Sequence, residues 1–139
     1  MKRKILLVDE WRAVRLLGRR VLTSLDFHTR EARSGLEALE TFALEPDLAG
    51  ILLEWKPEDP YCLELVKKLA ALPRHARPAV IACGDVLERS EILAALEAGA
   101  DDFLQKPFSS ETVSEKFEQL GVVGDSDLRR NDVDRSLRA

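Results

Sequence analysis

The sequence has few cysteines, no basic cluster and no long apolar run, and each absence excludes a class of protein. Its two cysteines, Cys62 and Cys83, show neither metal-ligand spacing nor a disulfide framework. No apolar stretch approaches the length that crosses a bilayer, and no signal-peptide core precedes a small-residue cleavage site. The net charge of −4 argues against binding to nucleic acid. We therefore expect a cytoplasmic protein with neither a membrane nor a nucleic acid as its partner.

The length and composition indicate one folded domain followed by a segment of a different kind. A chain of 139 residues that is 45% hydrophobic and 33% charged can build one core. The end of the chain instead carries four acidic residues and four arginines within 122–139. We predict a domain over residues 1–120 and a charged tail over 121–139, which is disordered or docks as a short helix.

Short apolar runs alternate with helical patterns along the predicted domain. The predicted strands cover residues 4–8, 27–32, 48–53, 78–83 and 102–105. The first helical stripe consists of Val14, Leu17, Val21, Leu22 and Leu25. Ser34 and Glu37 have the spacing of a capping box, in which each side chain accepts a hydrogen bond from a free amide at a helix start. This alternation predicts right-handed βαβ units, and hence a parallel sheet with helices on both faces.

Four of the predicted strands end in chemically reactive residues. Asp9 and Glu10 follow the first strand, Glu54 follows the third, Cys83 ends the fourth and Lys106 follows the fifth. The carboxyl ends of parallel strands lie at one edge of the sheet, where α/β proteins bind their ligands. Three carboxylates, a thiol and a lysine would meet there, and such a set can hold a divalent cation beside a phosphoryl group.

Three motifs resemble the receiver domain of bacterial response regulators. They are ILLVDE, the strand-end acid Glu54 after PDLAGILL, and EAGADDFLQKPF, which have the family's order and spacing over roughly residues 3–120. The resemblance implies a flavodoxin-like, doubly wound α/β fold with five parallel strands in the order 2-1-3-4-5. It also implies two-component signalling, in which an aspartate after the third strand takes a phosphoryl group from a histidine kinase beside a divalent cation.

The resemblance assigns roles to particular residues of this chain. Glu54 stands at the phosphoacceptor position. The phosphoryl-sensing positions hold Cys83, Phe103 and Lys106. The implied metal ligands are Asp9, Glu10, Glu54 and the backbone carbonyl of Lys56. The resemblance also implies a cis peptide bond before Pro107. Weak Mg²⁺ binding and no Mg²⁺ binding are equally compatible with the sequence, because Lys56 places a cation next to the pocket.

Two of these positions depart from the family pattern. Glu54 stands where the family has aspartate, and its extra carbon–carbon bond moves the carboxylate by up to about 1.5 Å, an error to which in-line transfer is sensitive. Cys83 stands where the family has serine or threonine, and a thiol is a weak hydrogen-bond donor. The longer Glu54 also reaches toward Lys106, where an ion pair would imitate part of the phosphorylated state. We therefore expect a pseudo-receiver that is not an enzyme and acts through protein contacts.

Other functions stay open at this point. A conventional receiver would be phosphorylated on Glu54, and a scaffold protein would keep only a vestigial pocket. A Mg²⁺-dependent phosphohydrolase of the haloacid-dehalogenase type would need aspartate where Trp11 stands, and a nucleotide-binding domain would need glycine within DEWRAVR. The expected partners are a histidine kinase or an output protein, and a second copy could dimerise through residues 86–120.

Overall fold

The computed structural model describes residues 2–85 and 88–124, and strands alternate with helices throughout these ranges. The strands are β1 (Lys4–Val8), β2 (His28–Ala32), β3 (Gly50–Glu54), β4 (Ala79–Gly84) and β5 (Asp102–Gln105). The α-helices are α1 (Arg12–Ser24), α2 (Gly35–Leu44), α3 (Pro60–Ala70), α4 (Arg89–Ala98) and α5 (Ser110–Gln119). A short 3₁₀ helix, Arg74–Ala76, precedes β4.

The five strands are all parallel and lie in the order β2-β1-β3-β4-β5, which confirms the predicted doubly wound α/β fold. Val8 of β1 is in register with Leu53 of β3, and Glu54 of β3 is in register with Cys83 of β4. The carboxyl ends of these three strands therefore finish level with one another. Residues that follow the strands start from the same edge of the sheet.

Side chains of the central strands alternate between two cores, one on each face of the sheet. Leu6 and Val8 join the cluster under α2 and α3, whereas Ile5 and Leu7 join the cluster under α1 and α5. A strand that is buried on both faces must be apolar at successive positions, which explains the continuous run ILLV. β2 is more polar because it lies at an edge of the sheet.

The stripe predicted for α1 is wrong at Leu17. Leu22 and Gly18 of this helix are buried, but Leu17 is 42% exposed. Leu17 lies roughly 140° around the helix axis from Leu22, outside the face that covers the sheet. A Cβ atom on Gly18 would come within 2.6 Å of the Leu7 side chain, so a larger residue at this position would force the end of that side chain to move.

The capping box predicted at the start of α2 is confirmed in one half and wrong in the other. The Glu37 amide donates to the Ser34 hydroxyl oxygen at 3.2 Å, as predicted. The Glu37 carboxylate, however, accepts from the amide of Arg33 at 3.0 Å instead of from that of Ser34. The Arg33 guanidinium lies 3.1 Å from the same carboxylate, and this ion pair draws the Glu37 side chain one residue further back.

The described chain continues to pack against the domain after α5. The Val122 amide donates to the carbonyl oxygen of Phe117 at 2.8 Å, and the Val122 side chain belongs to the cluster under α1 and α5. Residues 125–139, which make up most of the predicted tail, lie outside the described residues, so the division of the chain at residue 120 stays a prediction. Within the described ranges, no helix is long and apolar enough to cross a membrane.

Candidate functional site

Predicted site residues from three parts of the chain meet at the carboxyl edge of the sheet. Asp9 and Glu10 lie in the turn between β1 and α1, Glu54 is the last residue of β3, and Lys106 follows β5. Lys56 lies two residues beyond the end of β3, and its side chain turns back toward Glu54. Asp9, Glu10 and Glu54 come together because β1 and β3 are adjacent, whereas Lys106 follows the edge strand β5 and reaches them with its side chain.

Lys106 is buried between two carboxylates. Its Nζ atom lies 2.8 Å from Asp9 Oδ2 and 3.1 Å from Glu54 Oε2, and its side chain is 5% exposed. The predicted Glu54–Lys106 ion pair is therefore present. Asp9 is a second and closer partner, which the sequence did not indicate. The peptide bond between Lys106 and Pro107 is cis, as predicted.

Lys56 contacts Glu54, and also Glu10, from the side that faces solvent. Its Nζ atom lies 2.9 Å from Glu10 Oε2 and 3.4 Å from Glu54 Oε1, and its side chain is 32% exposed. The sequence placed a cation near the pocket at this position, but it assigned the backbone carbonyl to the site. The carbonyl oxygen of Lys56 accepts a hydrogen bond from the Asp59 amide at 3.0 Å, within the loop that leads to α3.

The five charged residues form one alternating chain of ion pairs, which we call the carboxylate–lysine chain. Its members, in order, are Glu10, Lys56, Glu54, Lys106 and Asp9. Glu54 is at its centre, with one carboxylate oxygen facing each lysine. Glu54, the acid at the predicted phosphoacceptor position, is therefore bound on both sides by ammonium groups of the protein itself.

The carboxyl pKa values in this chain shift in opposite directions. Burial raises the pKa of Asp9, and the hydrogen bond from Lys106 does not fully offset the effect. Burial also acts to raise the pKa of Glu54, but the hydrogen bond and charge of Lys106, together with the charge of Lys56, hold it below its ordinary value. The difference follows from the contacts, because Glu54 has two ammonium neighbours and Asp9 has one.

Both lysines remain charged at neutral pH. Burial acts to lower the pKa of Lys106, but its hydrogen bonds to Asp9 and Glu54 raise the pKa by more, so the pKa lies above its ordinary value. The contact with Glu10 is the main cause that raises the pKa of Lys56. Two carboxylates stabilise the charged form of Lys106, and together they outweigh the effect of burial on its pKa. Asp9 has only one ammonium partner, which does not outweigh the effect of burial on its own pKa.

Arg15 holds the turn that carries the two acids of β1, and sequence reasoning missed it. Its Nη1 atom donates to the carbonyl oxygens of Asp9 and Glu10 at 2.9 and 3.2 Å. Its Nε atom also pairs with Glu31 at 3.2 Å. The Asp9 carboxylate accepts a further hydrogen bond from the Trp11 amide at 2.9 Å. Contacts with backbone carbonyls leave no residue pattern in the sequence, so no sequence signal pointed to Arg15.

Cys83 and Phe103 lie near the site but outside the carboxylate–lysine chain. The Cys83 thiol is buried, with Sγ 3.5 Å from the Ile81 carbonyl oxygen, and burial raises its pKa far above the ordinary value. Phe103 is half-buried, and Lys116 Nζ lies 5.0 Å from the centre of its ring, a cation–π contact. Both cysteines are free and buried. The phosphoryl-sensing roles of Cys83 and Phe103 stay predictions.

Comparison with known proteins identifies the family. The sequence model of the response regulator receiver domain matches residues 5–118, and the chain belongs to this family. It is 30% identical to the chemotaxis protein CheY1 of Helicobacter pylori, over 89% of this chain and 99% of that protein. It is 29% identical to a chemotaxis protein CheY homologue of Campylobacter jejuni, over 87% of this chain and 94% of that protein. Receiver domains are signalling modules of two-component systems, so this function class is established.

Solved structures agree with this assignment at the level of the fold. The chemotaxis protein CheY4 of Vibrio cholerae has a TM-score of 0.74 at 19% identity, covering 86% of this chain and 98% of that one. A response regulator protein of Burkholderia multivorans has a TM-score of 0.72 at 23% identity, covering 88% and 97%. At these identities the similarity shows the flavodoxin-like fold and no more.

The predicted metal ligands do not fit a divalent cation in the arrangement that the structure has. Receiver domains commonly bind Mg²⁺ at this edge of the sheet. In this chain, within residues 2–85 and 88–124, no three acidic, histidine or cysteine side chains are placed to hold a metal ion. The reason is visible in the contacts, since Asp9, Glu10 and Glu54 each face a lysine ammonium instead of a common centre.

Proposed function

We propose that this receiver domain is a pseudo-receiver, which signals through protein contacts without phosphorylation of Glu54 and without enzymatic activity. One observation carries the proposal: both carboxylate oxygens of Glu54 face lysine ammonium groups, Lys106 at 3.1 Å and Lys56 at 3.4 Å. A carboxylate that is paired on both oxygens is a poor acceptor, because a lone pair must be free and aligned for in-line attack on phosphorus.

The side-chain length of Glu54 also argues against its phosphorylation. Lys106 would pair with phosphoryl oxygens in a phosphorylated receiver, and here the longer carboxylate of Glu54 already occupies that lysine. The imitation is incomplete, since a carboxylate carries one charge and a phosphoryl group carries nearly two with three acceptor oxygens. We infer that the ion pair holds the domain in one conformation instead of switching it between two.

The partners proposed for this domain are a histidine kinase, an output protein or a second copy of the chain. Receiver domains of response regulators interact with kinases and output proteins. The proposed contact face lies within residues 86–120, on α4, β5 and α5. In the described part of this face, Leu93 and Leu96 of α4 are exposed, which gives a partner apolar surface to bury. The proposed domain covers residues 1–120, with 121–139 as a charged tail.

A conventional receiver that is phosphorylated on Glu54 is the second candidate. It is favoured by the preserved pair of Asp9 and Lys106 at the edge of an intact sheet. It would require Glu54 to leave both lysines before it could react. A Mg²⁺-dependent phosphohydrolase has less support, because Trp11 stands where such an enzyme would need a second aspartate.

The proposal predicts that Glu54→Gln changes the conformation of the contact face. Loss of the charge weakens one carboxylate contact of Lys106 and one of Lys56. We expect amide chemical shifts in α4, β5 and α5 to move, and the free energy of unfolding to fall by about 1–3 kcal/mol. Two-dimensional ¹⁵N–¹H spectra and urea unfolding of the full chain measure the two effects.

Glu58→Gln is the matched control for this experiment. Glu58 is exposed in the loop after β3, so its loss of charge should leave the shifts of α4, β5 and α5 and the stability unchanged. The proposal fails if Glu54→Gln alters only the amides next to residue 54 and leaves partner binding as in the wild type.

A further inference from the structure

Lys56 and Lys106 bridge the carboxylates at two different depths. Lys106 joins Asp9 to Glu54 in the interior, while Lys56 joins Glu10 to Glu54 at the surface. A divalent cation in this pocket would have to touch the same acids that Lys56 now joins, since hard cations take carboxylate oxygens as ligands. The Lys56 ammonium and such a cation therefore compete for one place.

The net charge of the site leads to the same conclusion. Within the carboxylate–lysine chain, three carboxylates and two ammonium groups leave one negative charge, since −3 and +2 sum to −1. The exposed Asp85, 4.0 Å from Lys106 Nζ, lies outside this sum. Without Lys56 the remaining groups would carry −2, which is the charge that one divalent cation neutralises. With Lys56 in place, a divalent cation would meet a positive charge beside its ligands and could bring only a small gain.

Contacts on both sides of Lys56 fix its backbone above Glu54. Trp55 is buried in the core under α2 and α3, and its amide donates to the Cys83 carbonyl oxygen at 2.8 Å. On the other side, the Lys56 carbonyl oxygen accepts from the Asp59 amide at 3.0 Å. The start of the side chain is therefore fixed on both sides, and the ammonium group reaches Glu10 and Glu54 without reorganisation of the loop.

We infer that the Lys56 ammonium takes the place of the divalent cation, so that this receiver domain keeps its site assembled without metal. The inference deepens the proposed function and rests on it for its biological meaning. It carries a second consequence. Removal of the ammonium should uncover a latent site for Mg²⁺ or Mn²⁺, with the Glu10 and Glu54 oxygens that Lys56 now contacts among its ligands.

The test is metal binding by the full chain without any phosphoryl donor. Isothermal calorimetry with Mg²⁺ and electron paramagnetic resonance of free Mn²⁺ would compare the wild type with Lys56→Met. We expect no saturable binding by the wild type and saturable binding of one metal ion by Lys56→Met. Lys67→Met, which removes an exposed lysine of α3, is the control and should behave as the wild type.

Two outcomes overturn the inference. One is saturable Mg²⁺ or Mn²⁺ binding by the wild type. This measurement uses only the wild-type protein, so it tests the inference even if Lys56→Met folds poorly. The other is a folded Lys56→Met, verified by its circular dichroism, that binds metal no better than Lys67→Met. Both are independent of phosphorylation. Metal binding by the wild type would overturn this inference alone, whereas a phosphoryl adduct on Glu54 would overturn the proposed function.

Discussion

Replacement of Lys106 by methionine is expected to lower the free energy of unfolding by about 3–5 kcal/mol. The methionine keeps most of the side-chain volume but leaves Asp9 and Glu54 without their shared ammonium group. Asp9 is buried and has no other lysine in contact within the described residues, so its charge would remain uncompensated. Urea unfolding at neutral pH, followed by circular dichroism, measures the loss.

Two further variants separate this effect from a general loss of lysine. Lys68→Met removes an exposed lysine of α3 and should change stability by no more than about 0.5 kcal/mol. Asp9→Asn in the Lys106→Met background removes the stranded charge and should recover part of the loss. A loss below about 1 kcal/mol in Lys106→Met, the size expected for a surface ion pair, would contradict the role of Lys106 as a buried bridge between Asp9 and Glu54.

The difference in free energy of unfolding between the wild type and Lys106→Met should depend on pH in a defined direction. The folded protein raises the pKa of Lys106 above the ordinary value of 10.5, because its two carboxylate contacts outweigh its burial. A raised pKa of a base contributes stability that is fully present below the unfolded pKa and is lost as the pH rises through the folded pKa. The advantage of the wild type over Lys106→Met should therefore persist through neutral and mildly alkaline pH and shrink only above pH 10.5.

Replacement of Phe117 by alanine is expected to cost a similar amount, about 3–5 kcal/mol. Phe117 is fully buried, and its ring meets that of Phe27 edge to face with the centroids 5.7 Å apart. The ring also fills the space above Gly50, where a Cβ atom would come within 2.6 Å of it. Alanine would leave a cavity between α5 and the sheet, which urea unfolding would detect.

Leu44→Ala is the control for Phe117→Ala. Leu44 is 85% exposed at the end of α2, and truncation there should change stability by no more than about 0.5 kcal/mol. A cost for Phe117→Ala that is as small as that of Leu44→Ala would mean that α5 is not anchored by this residue. That result would also weaken the contact face proposed on α4, β5 and α5.

The fold could be predicted from the sequence because burial on two faces leaves a plain pattern. ILLV in β1 is apolar at successive positions, and the sheet has a helical layer on each side of it. Helix faces were harder to predict, as Leu17 illustrates. An apolar residue can lie at the margin of a stripe, and only the packed structure decides how wide the buried face is.

The candidate site could be predicted in outline for a similar reason. Parallel strands bring Asp9, Glu54 and Lys106 to one edge of the sheet, and the length of Glu54 indicated its pairing with Lys106. The sequence could not show which oxygen meets which lysine, since that depends on side-chain rotamers. Lys56 is the clearest case, because its position was predicted from the family pattern and the direction of its side chain was not.

The central claim is that Glu54 does not take a phosphoryl group, and intact mass tests it most directly. The full chain would be incubated with acetyl phosphate and Mg²⁺ and its mass measured at once, with Glu54→Asp treated in parallel as the variant that restores the family's acceptor. The account predicts that the mass of the wild type is unchanged. A wild-type species heavier by one phosphoryl group, with the adduct mapped to Glu54, would contradict the account and restore a conventional switch.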